Sequence, residues 1–278
     1  MKNKILEAEV LVNEEIASGI YYMSMVTEEE AVSAAYPGQF LNVYPEPGGR
    51  LILPRPFGIC GADPSKKTID IVYEVVGAGT AWMSGLKKGH WLKIAAPLGK
   101  GFDLSGLKDL QEKSGQPVVL VGGGVGCGPM LFLAQMLQKE ELPVAAVLGF
   151  RDAPFLHLHF EEAGCRTLVA SQTIQENTCH GTVIDCMKAN EVKASAYFAC
   201  GPRGMLAAVD DYAAADCGDE YLQVSLEERM GCGYGVCVGC STEIRFRDGQ
   251  GGIQTVRRKI CTDGPVFRGS EVIWNGGA

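Results

Sequence analysis

Four cysteines near the end of the chain limit what it can fold into. Cys232, Cys237 and Cys240 follow C-x4-C-x2-C spacing, and Cys261 comes later. This is the ligand order of a plant-type [2Fe–2S] site, and thiolates are the soft ligands that such clusters select. The stretch 231–239 also contains four glycines, which allow a tight loop because glycine reaches positive φ without steric cost. The spacing therefore predicts a [2Fe–2S] cluster bound by these four thiols.

Two other interpretations of the cysteines stay open from the residues alone. A structural zinc site usually combines two C-x2-C pairs, and only Cys237 and Cys240 have that spacing here. Ordinary packing in a core is the second alternative. The spacing favours the cluster over both.

The chain has 278 residues, enough for one large domain or two to three ordinary ones, and with 46% hydrophobic and 21% charged residues it has the composition of a well-packed protein. A formal net charge of −8 and the lack of a basic block argue against nucleic acid as a partner. No apolar run approaches the roughly 20 residues of a membrane-spanning helix, so no membrane contact is expected. The first residues lack the apolar stretch of a signal peptide. The sequence therefore predicts a protein of the reducing cytoplasm.

The first part of the chain contains strand-like segments separated by turns. They are rich in β-branched, aliphatic and aromatic residues. These segments cover 5–12, 19–26, 39–44, 51–53, 68–76 and 91–96. Short strands at this spacing predict a small antiparallel barrel.

The pattern changes at Pro117. Continuous apolar runs follow, as is typical of parallel strands buried on both faces. Strands are expected at 118–121, 144–150, 166–170 and 196–200, and helices at 129–137 and 205–212. Alternating strands and helices predict an open parallel α/β sheet from about 117 to 222.

A glycine-rich turn joins the first of these strands to a helix. Its glycines are Gly122, Gly123, Gly124 and Gly126. Backbone N–H groups at a helix N-terminus favour phosphate, so the turn is a candidate for dinucleotide binding. The G-x-G-x-x-G fingerprint is not met, because Cys127 stands at its last position, and no P-loop Gly-Lys-Ser/Thr follows. Close packing of strand and helix is the alternative.

Two short motifs in the N-terminal half are weaker candidates for nucleotide contacts. Arg55-Pro56-Phe57 presents a guanidinium fork suited to phosphate or an electron-rich ring, although a surface arginine in a turn is the more ordinary interpretation. The segment 77–80 offers backbone amides and a hydroxyl to a pyrophosphate. A hairpin turn is the alternative there.

Together these motifs resemble the ferredoxin–NADP reductase superfamily. The segments that carry the resemblance are 55–57, 97–102, 122–126, 148–151 and 199–202. With 225–232, the cysteine loop and 261–267 added, the chain resembles the electron-transfer subunits of bacterial type B dihydroorotate dehydrogenases, from near residue 5 to about 273.

The resemblance implies a multidomain β and α/β protein. Its parts would be an antiparallel FAD-binding β-barrel at 1–103, a Rossmann-like NAD-binding parallel α/β domain at 104–222 and a small [2Fe–2S] domain at 223–278. By position, FAD would contact Arg55, Pro56, Phe57, Gly58, Val72, Tyr73, Glu74, Gly79 and Thr80. The cluster ligands would be the four cysteines already named, and NAD would lie at the glycine-rich turn.

The chain departs from the family pattern at three positions. Gly58 stands where the motif usually continues with Ser or Thr, so backbone N–H or water must replace any hydroxyl contact to the flavin. Glu74 replaces a basic residue that relatives commonly carry, which removes a phosphate partner. Cys127 lies near the expected nicotinamide side, where a small buried residue is a simpler interpretation than redox chemistry.

The three predicted cofactors form a consistent set for electron transfer. Nicotinamide exchanges electrons in pairs and a [2Fe–2S] cluster takes one at a time, and a flavin between them can convert one into the other. No grouping of carboxylates or histidines indicates acid–base work, so no catalytic side chain is predicted. The resemblance implies a partner, the FMN-containing catalytic subunit that oxidises dihydroorotate to orotate in pyrimidine synthesis, with NAD as acceptor and two copies of each subunit.

Two alternatives and two finer hypotheses accompany this interpretation. Related subunits serve electron-bifurcating transhydrogenases, hydrogenases and sulfur reductases, which would keep the cofactors and change the partner. A zinc-stabilised binding module without cofactors is supported by Gly58 and Glu74 alone. Arg257-Arg258-Lys259 is either a solvated edge strand or a group that tunes the cluster or docks a partner, and as a tuning group it is expected to raise the cluster's reduction potential. NAD is expected in preference to NADP, since no basic pair follows the second strand of the α/β domain, apart from Arg151.

Overall fold

The computed structural model describes residues 4–45, 51–218, 221–247 and 252–274. Its N-terminal part is a closed barrel of six antiparallel strands in the order β1-β2-β5-β4-β3-β6. The strands are β1 (Ile5–Ala17), β2 (Ile20–Val26), β3 (Phe40–Tyr44), β4 (Arg55–Asp63), β5 (Thr68–Glu74) and β6 (Trp91–Leu98), with the short helices α1 (Glu29–Ser33) and α2 (Ala78–Ser84) between them.

Side chains alternate across the barrel wall, as the two-residue period of a strand requires. Leu41 and Val43 of β3 belong to the barrel core. Phe40 and Tyr44 of the same strand pack instead against a second core outside the barrel. One face of β3 is therefore available to other parts of the chain.

The middle of the chain forms a parallel sheet flanked by helices. Its strands and helices are α3 (Leu107–Ser114), β7 (Val118–Gly123), α4 (Cys127–Lys139), β8 (Val144–Phe150), α5 (His157–Glu162), β9 (Arg166–Ser171), β10 (Cys179–His180), α6 (Val183–Ala189), β11 (Ala196–Cys200), α7 (Arg203–Asp216) and β12 (Leu222–Ser225). The four-residue segment Val118–Val121 is fully buried, which explains why it is continuously apolar in sequence.

The last part of the chain leaves this sheet and then returns to it. The cysteine loop follows β12, and β13 (Ser241–Arg247) and β14 (Ile253–Lys259) form an antiparallel hairpin. β15 (Val266–Arg268) then pairs antiparallel with β12, which gives the sheet order β10-β9-β8-β7-β11-β12-β15. Cys240 and Cys261 are buried in the same apolar core as Phe40 and Val224, so barrel, sheet and cysteine loop share packing.

Most of the expected elements are present, and the barrel with its parallel α/β sheet has the predicted architecture. The strand expected at 51–53 is wrong, because β4 begins at Arg55 and Ile52 is 85% exposed. The ladder between β3 and β4 ends at the pair Val43 and Arg55, so the earlier residues have no partner strand in the described part of the chain. The hairpin turn considered at 77–80 is instead the start of α2. The domain boundaries at 103 and 222 stay predictions.

Candidate functional site

A cavity of about 310 Å³ lies where barrel, parallel sheet and the approach to the cysteine loop meet. All the residues expected to contact FAD line it except Arg55 and Gly79. The barrel residues in its wall are Pro56, Phe57, Gly58, Val72, Tyr73, Glu74 and Thr80. The size and the mixed apolar and polar lining suit part of a large organic cofactor.

Arg55 and Gly79 lie against each other next to this wall. A Cβ at position 79 would be 2.1 Å from Nε of Arg55, so only glycine leaves room for the guanidinium there. Thr80 fixes the same turn, because its Oγ1 accepts from the N–H of Val76 at 2.9 Å. The result is a positioned guanidinium fork beside the cavity, which is the chemistry that a pyrophosphate requires.

Aromatic rings form one wall of the cavity. Tyr73 is 1% exposed, and its ring stacks on Tyr21 at 5.6 Å between centroids and lies 5.7 Å from Phe57. Its hydroxyl donates to Oδ1 of Asn13 at 2.8 Å, and burial raises the pKa of Tyr73 above its ordinary value. Phe57 lines the cavity with the buried Tyr73 ring fixed beside it, and an aromatic residue held in this way can pack against a flat ring system such as a flavin.

The glycine-rich turn reaches the cavity through Val125 and Gly126. A Cβ at Gly126 would lie 2.4 Å from the carbonyl oxygen of Cys200, and one at Gly123 would lie 2.5 Å from Sδ of Met205. Close packing therefore accounts for these glycines, which was the alternative interpretation. Gly124 has φ +53°, and an added Cβ there would have no atom within 4 Å. The space beside the backbone at the start of the turn is therefore free of other protein atoms.

Cys127 begins α4 directly after this turn. Its side chain is 0% exposed, and burial raises the pKa of its thiol well above the ordinary value. A neutral, buried thiol agrees with the simpler interpretation, a small packing residue.

Two acidic residues in the cavity wall were missed by sequence reasoning. Glu227 and Glu228 line the cavity, although isolated carboxylates in a sequence are by default placed on the surface. Burial raises the pKa of Glu227, and Glu228 lies 3.9 Å from Nη1 of Arg203. The signal was their place in the segment 225–232, directly before the cysteine loop.

Backbone N–H groups of the cysteine loop stabilise a thiolate at Cys232. The backbone N–H groups of Tyr234 and Cys237 lie 3.3 and 3.4 Å from its Sγ. Burial opposes ionisation, but these N–H groups outweigh it and lower the pKa of Cys232 to about 6. Backbone N–H groups aimed at sulfur are a feature of iron–sulfur sites.

The four thiols interact with one another. Cys232 interacts with Cys237, and Cys261 interacts with both Cys240 and Cys232. In the described residues no three His, Cys, Asp or Glu side chains come together tightly enough to hold a single metal ion. Four interacting thiols suit the ligand set of a [2Fe–2S] cluster, and the assignment of these residues as its ligands stays a prediction.

The three basic residues before Cys261 are not equivalent. Nζ of Lys259 donates to the carbonyl of Gly235 within the cysteine loop at 2.9 Å. Arg257 is instead 81% exposed and lies 3.9 Å from Glu243, and Arg258 is exposed. Of this group, Lys259 alone faces the loop.

A barrel and a parallel sheet that share one cavity are the architecture of flavin-dependent nicotinamide reductases, and the thiol loop adds a cluster-binding module to it. A family described as the iron–sulfur cluster binding domain of dihydroorotate dehydrogenase B matches residues 227–273. The electron transfer subunit of dihydroorotate dehydrogenase B (NAD(+)) from Caldanaerobacter subterraneus subsp. tengcongensis is 34% identical over 269 residues, covering 97% of this chain and 98% of the relative. The subunit of the same name from Streptococcus pneumoniae serotype 4 is 35% identical over 268 residues, covering 95% and 99%. The chain belongs to this family of electron-transfer subunits.

Solved structures agree on the fold. The structure of an NADH-dependent reduced ferredoxin-NADP oxidoreductase, described in connection with flavin-based electron bifurcation, gives a TM-score of 0.79 at 26% identity and covers 99% of this chain and 92% of that chain. The FAD/NAD binding domain of a nitric oxide dioxygenase from Vibrio cholerae O1 biovar El Tor gives 0.64 at 18% identity, with 79% and 97% covered. The predicted fold class and family resemblance are confirmed, and the assignment of single residues to FAD, NAD and cluster stays a prediction.

Proposed function

We propose that this chain passes electrons between NAD and a catalytic partner subunit by way of FAD and a [2Fe–2S] cluster. The names of its relatives make the complex a dihydroorotate dehydrogenase B. The partner would be an FMN-containing subunit that oxidises dihydroorotate to orotate in UMP biosynthesis, in a heterotetramer with two copies of each subunit.

One observation carries the proposal. The cavity that holds the expected FAD residues is also lined by Met230 and Ile260. Ile260 directly precedes Cys261, and Met230 stands two positions before Cys232. This supports a flavin site and a cluster site that are neighbours, because residues next to two of the expected cluster ligands line the cavity.

The chain's own residues bind and orient the cofactors. Bound FAD exchanges electron pairs with nicotinamide and single electrons with a cluster. Arg55 would bind the pyrophosphate, and Phe57 and Tyr73 would hold the ring. The turn at Gly124–Gly126 brings the α4 N-terminus to the same cavity, where a phosphate of NAD would bind. The N–H groups at Cys232 stabilise its thiolate for the cluster.

The tip of the cysteine loop supports a docking site for the partner. Val236 and Val238 are 82% and 60% exposed, and Cys237 between them is exposed as well. Apolar side chains beside an exposed ligand suit a surface that a partner covers.

Thiolate ligands also need a reducing compartment, which supports the cytoplasm as location. No helix among the described residues has both the length and the apolar character needed to cross a membrane.

The test is dihydroorotate-driven NAD⁺ reduction by the complex purified through this chain from its own cells. Activity that is lost in Cys240→Ser and kept in Cys217→Ser, a free cysteine outside the loop, would establish both the reaction and the place of the cluster in it. Metal analysis of the same samples should give iron and no stoichiometric zinc. A zinc-containing, colourless protein would instead establish the binding-module alternative.

A second candidate has one observation in its favour. The NADH-dependent reduced ferredoxin-NADP oxidoreductase covers nearly the whole chain, which favours a subunit of a bifurcating transhydrogenase, hydrogenase or sulfur reductase complex. A purified complex that contains flavin and iron but does not oxidise dihydroorotate would select this candidate.

A further inference from the structure

Asn42 is a fully buried amide on β3 that contacts the cysteine loop. Its side chain is 0% exposed, and its Nδ2 donates to the carbonyl oxygen of Cys232 at 3.3 Å. In the barrel ladder Asn42 is paired with Pro56, which lines the cavity. Asn42 therefore contacts the first expected cluster ligand and is paired with a residue of the cavity wall.

Packing alone does not explain an amide at this position. In the part of the chain that the structure describes, no donor reaches Oδ1 of Asn42. A buried acceptor without a partner opposes folding, whereas an apolar side chain of the same shape avoids that cost. The amide at position 42 therefore makes the fold less stable than an apolar side chain of the same shape would. This cost indicates that the contact of Asn42 with Cys232 has a role of its own.

The loop is shaped to receive this amide. Gly233 has φ +79°, and a Cβ there would lie 2.2 Å from Nδ2 of Asn42. Any other residue at 233 would displace the amide or the loop. The two residues therefore fit one another at the turn that carries Cys232.

A second contact lies on the same face of β3. The hydroxyls of Tyr44 and Tyr234 are hydrogen-bonded to each other. Tyr44 is two residues after Asn42, so both side chains leave the barrel on one side. Phe40, two residues before Asn42, lines the cavity. We call this outward face, made of Phe40, Asn42 and Tyr44, the β3 platform.

We propose that Asn42 and Tyr44 of the β3 platform are positioning residues for the iron–sulfur cluster. Asn42 binds the backbone at Cys232, Tyr44 binds Tyr234 two positions later, and the strand beneath them is paired with the Arg55-Pro56-Phe57 strand. The platform thereby fixes the cluster relative to the flavin. The inference rests on the proposed function, because it requires that both cofactors bind where that function places them.

The experiment uses the full chain in its complex with FAD and cluster bound. Asn42→Leu keeps the size of the side chain and removes the bond to Cys232, and Tyr44→Phe removes one hydroxyl without a change of volume. Thr27→Val is the matched control, since Thr27 is buried in the barrel and donates to the carbonyl of Glu7 at 2.9 Å. Five quantities are measured: the content of iron, sulfide and FAD, the rate of iron loss to a chelator, the EPR spectrum of the reduced cluster, its midpoint potential, and the rate of cluster reduction after mixing with NADH.

For Asn42→Leu we expect a changed EPR line shape, a shifted midpoint potential and iron loss to a chelator that is about tenfold faster, the factor that corresponds to about 1.4 kcal/mol. Tyr44→Phe should shift the same quantities less, and Thr27→Val should leave them as in the wild type. FAD content should stay constant in all three. These quantities respond to the cluster's surroundings, whereas a general loss of stability would appear equally in the control.

Wild-type values in both platform variants would overturn the inference while leaving the proposed function intact. If Asn42→Leu does not fold, Tyr44→Phe decides, because an unchanged spectrum and rate in it would also overturn the inference. A wild-type protein without iron would instead refute the proposed function.

Discussion

Gly58 of β4 and Pro129 of α4 are so close that a Cβ at position 58 would lie 2.5 Å from Cγ of Pro129. Both residues line the cavity, so the barrel meets the helix after the glycine-rich turn at a point with no room for a side chain. The absence of a hydroxyl at position 58 therefore has a packing cause.

Gly58→Ser should separate barrel and helix. Overpacking of this kind typically costs about 1–3 kcal/mol, and here the shift falls on the cavity wall, so FAD should also dissociate faster. Urea unfolding and the rate of FAD loss measure the two effects. Gly204→Ser is the control, since nothing lies within 4 Å of a Cβ at that position. Equal unfolding free energies and equal rates of FAD loss in the two variants would contradict this prediction, because they would show that Pro129 moves aside without destabilising the protein.

Lys259→Met should lower the reduction potential of the cluster. Its ammonium group donates to Gly235 in the loop, and positive charge near a cluster favours the reduced, more negative form. Arg257→Met should have little effect, because Arg257 is 81% exposed and solvent screens its charge. An EPR-monitored redox titration compares them. Equal shifts would mean that net charge, not the contact with the loop, sets the potential.

Glu227→Gln should stabilise the protein slightly at neutral pH, and the effect is small because the Glu227 side chain lines the cavity but is also exposed to solvent. Burial raises the pKa of Glu227 in the folded state, so its ionisation opposes folding above the unfolded-state pKa of about 4.3 and not below it. The gain in melting temperature should therefore be present at about pH 7 and vanish as the pH falls below about 4. FAD in the cavity would bury the carboxyl further and preserve the sign. Glu112→Gln on the exposed side of α3 is the control, and a gain that is independent of pH would contradict the assignment.

Asp216→Asn should have the opposite pH dependence. Burial alone would raise the pKa of Asp216, but hydrogen bonds from Lys193, Tyr197 and the N–H of Ala194 lower it. A lowered pKa stabilises the fold above the unfolded value of about 3.9, and this contribution is lost as the pH falls through the folded value.

We expect Asp216→Asn to reduce the free energy of unfolding at about pH 7 by about 1.5–3 kcal/mol, the worth of hydrogen bonds to a charged group. The difference from wild type should shrink as the pH falls below about 3.9, towards the lowered pKa of Asp216 in the folded state, as measured by urea unfolding at about pH 7 and at one acidic pH. Asp211→Asn, exposed on the same helix, should change little at either pH. A loss of equal size at both pH values would mean that the charge of Asp216 is not involved.

Local spacing explains which parts of the site could be predicted from the sequence. The cysteine pattern and the glycine-rich turn are contained in short segments, so their chemistry is visible without the fold. The contacts of Asn42 with Cys232 and of Gly58 with Pro129 join residues far apart in the chain, and a single Asn in a strand pattern carries no signal of a buried contact. The apolar segment 51–53 is wrongly predicted as a strand from local sequence alone. Its residues suit a strand, but a strand also needs a partner strand.

β15 has a consequence for how the cluster can move. The segment that carries the cysteines leaves the sheet after β12 and is fastened to it again where β15 pairs with β12. Between these two anchors Cys240 and Cys261 are buried in the core shared with barrel and sheet, so a redox group held by them is fixed, unlike a carrier on a flexible tether. For a cluster held there, delivery of each electron would depend on fixed spacing rather than on a diffusive search, and a partner would have to come to the cluster.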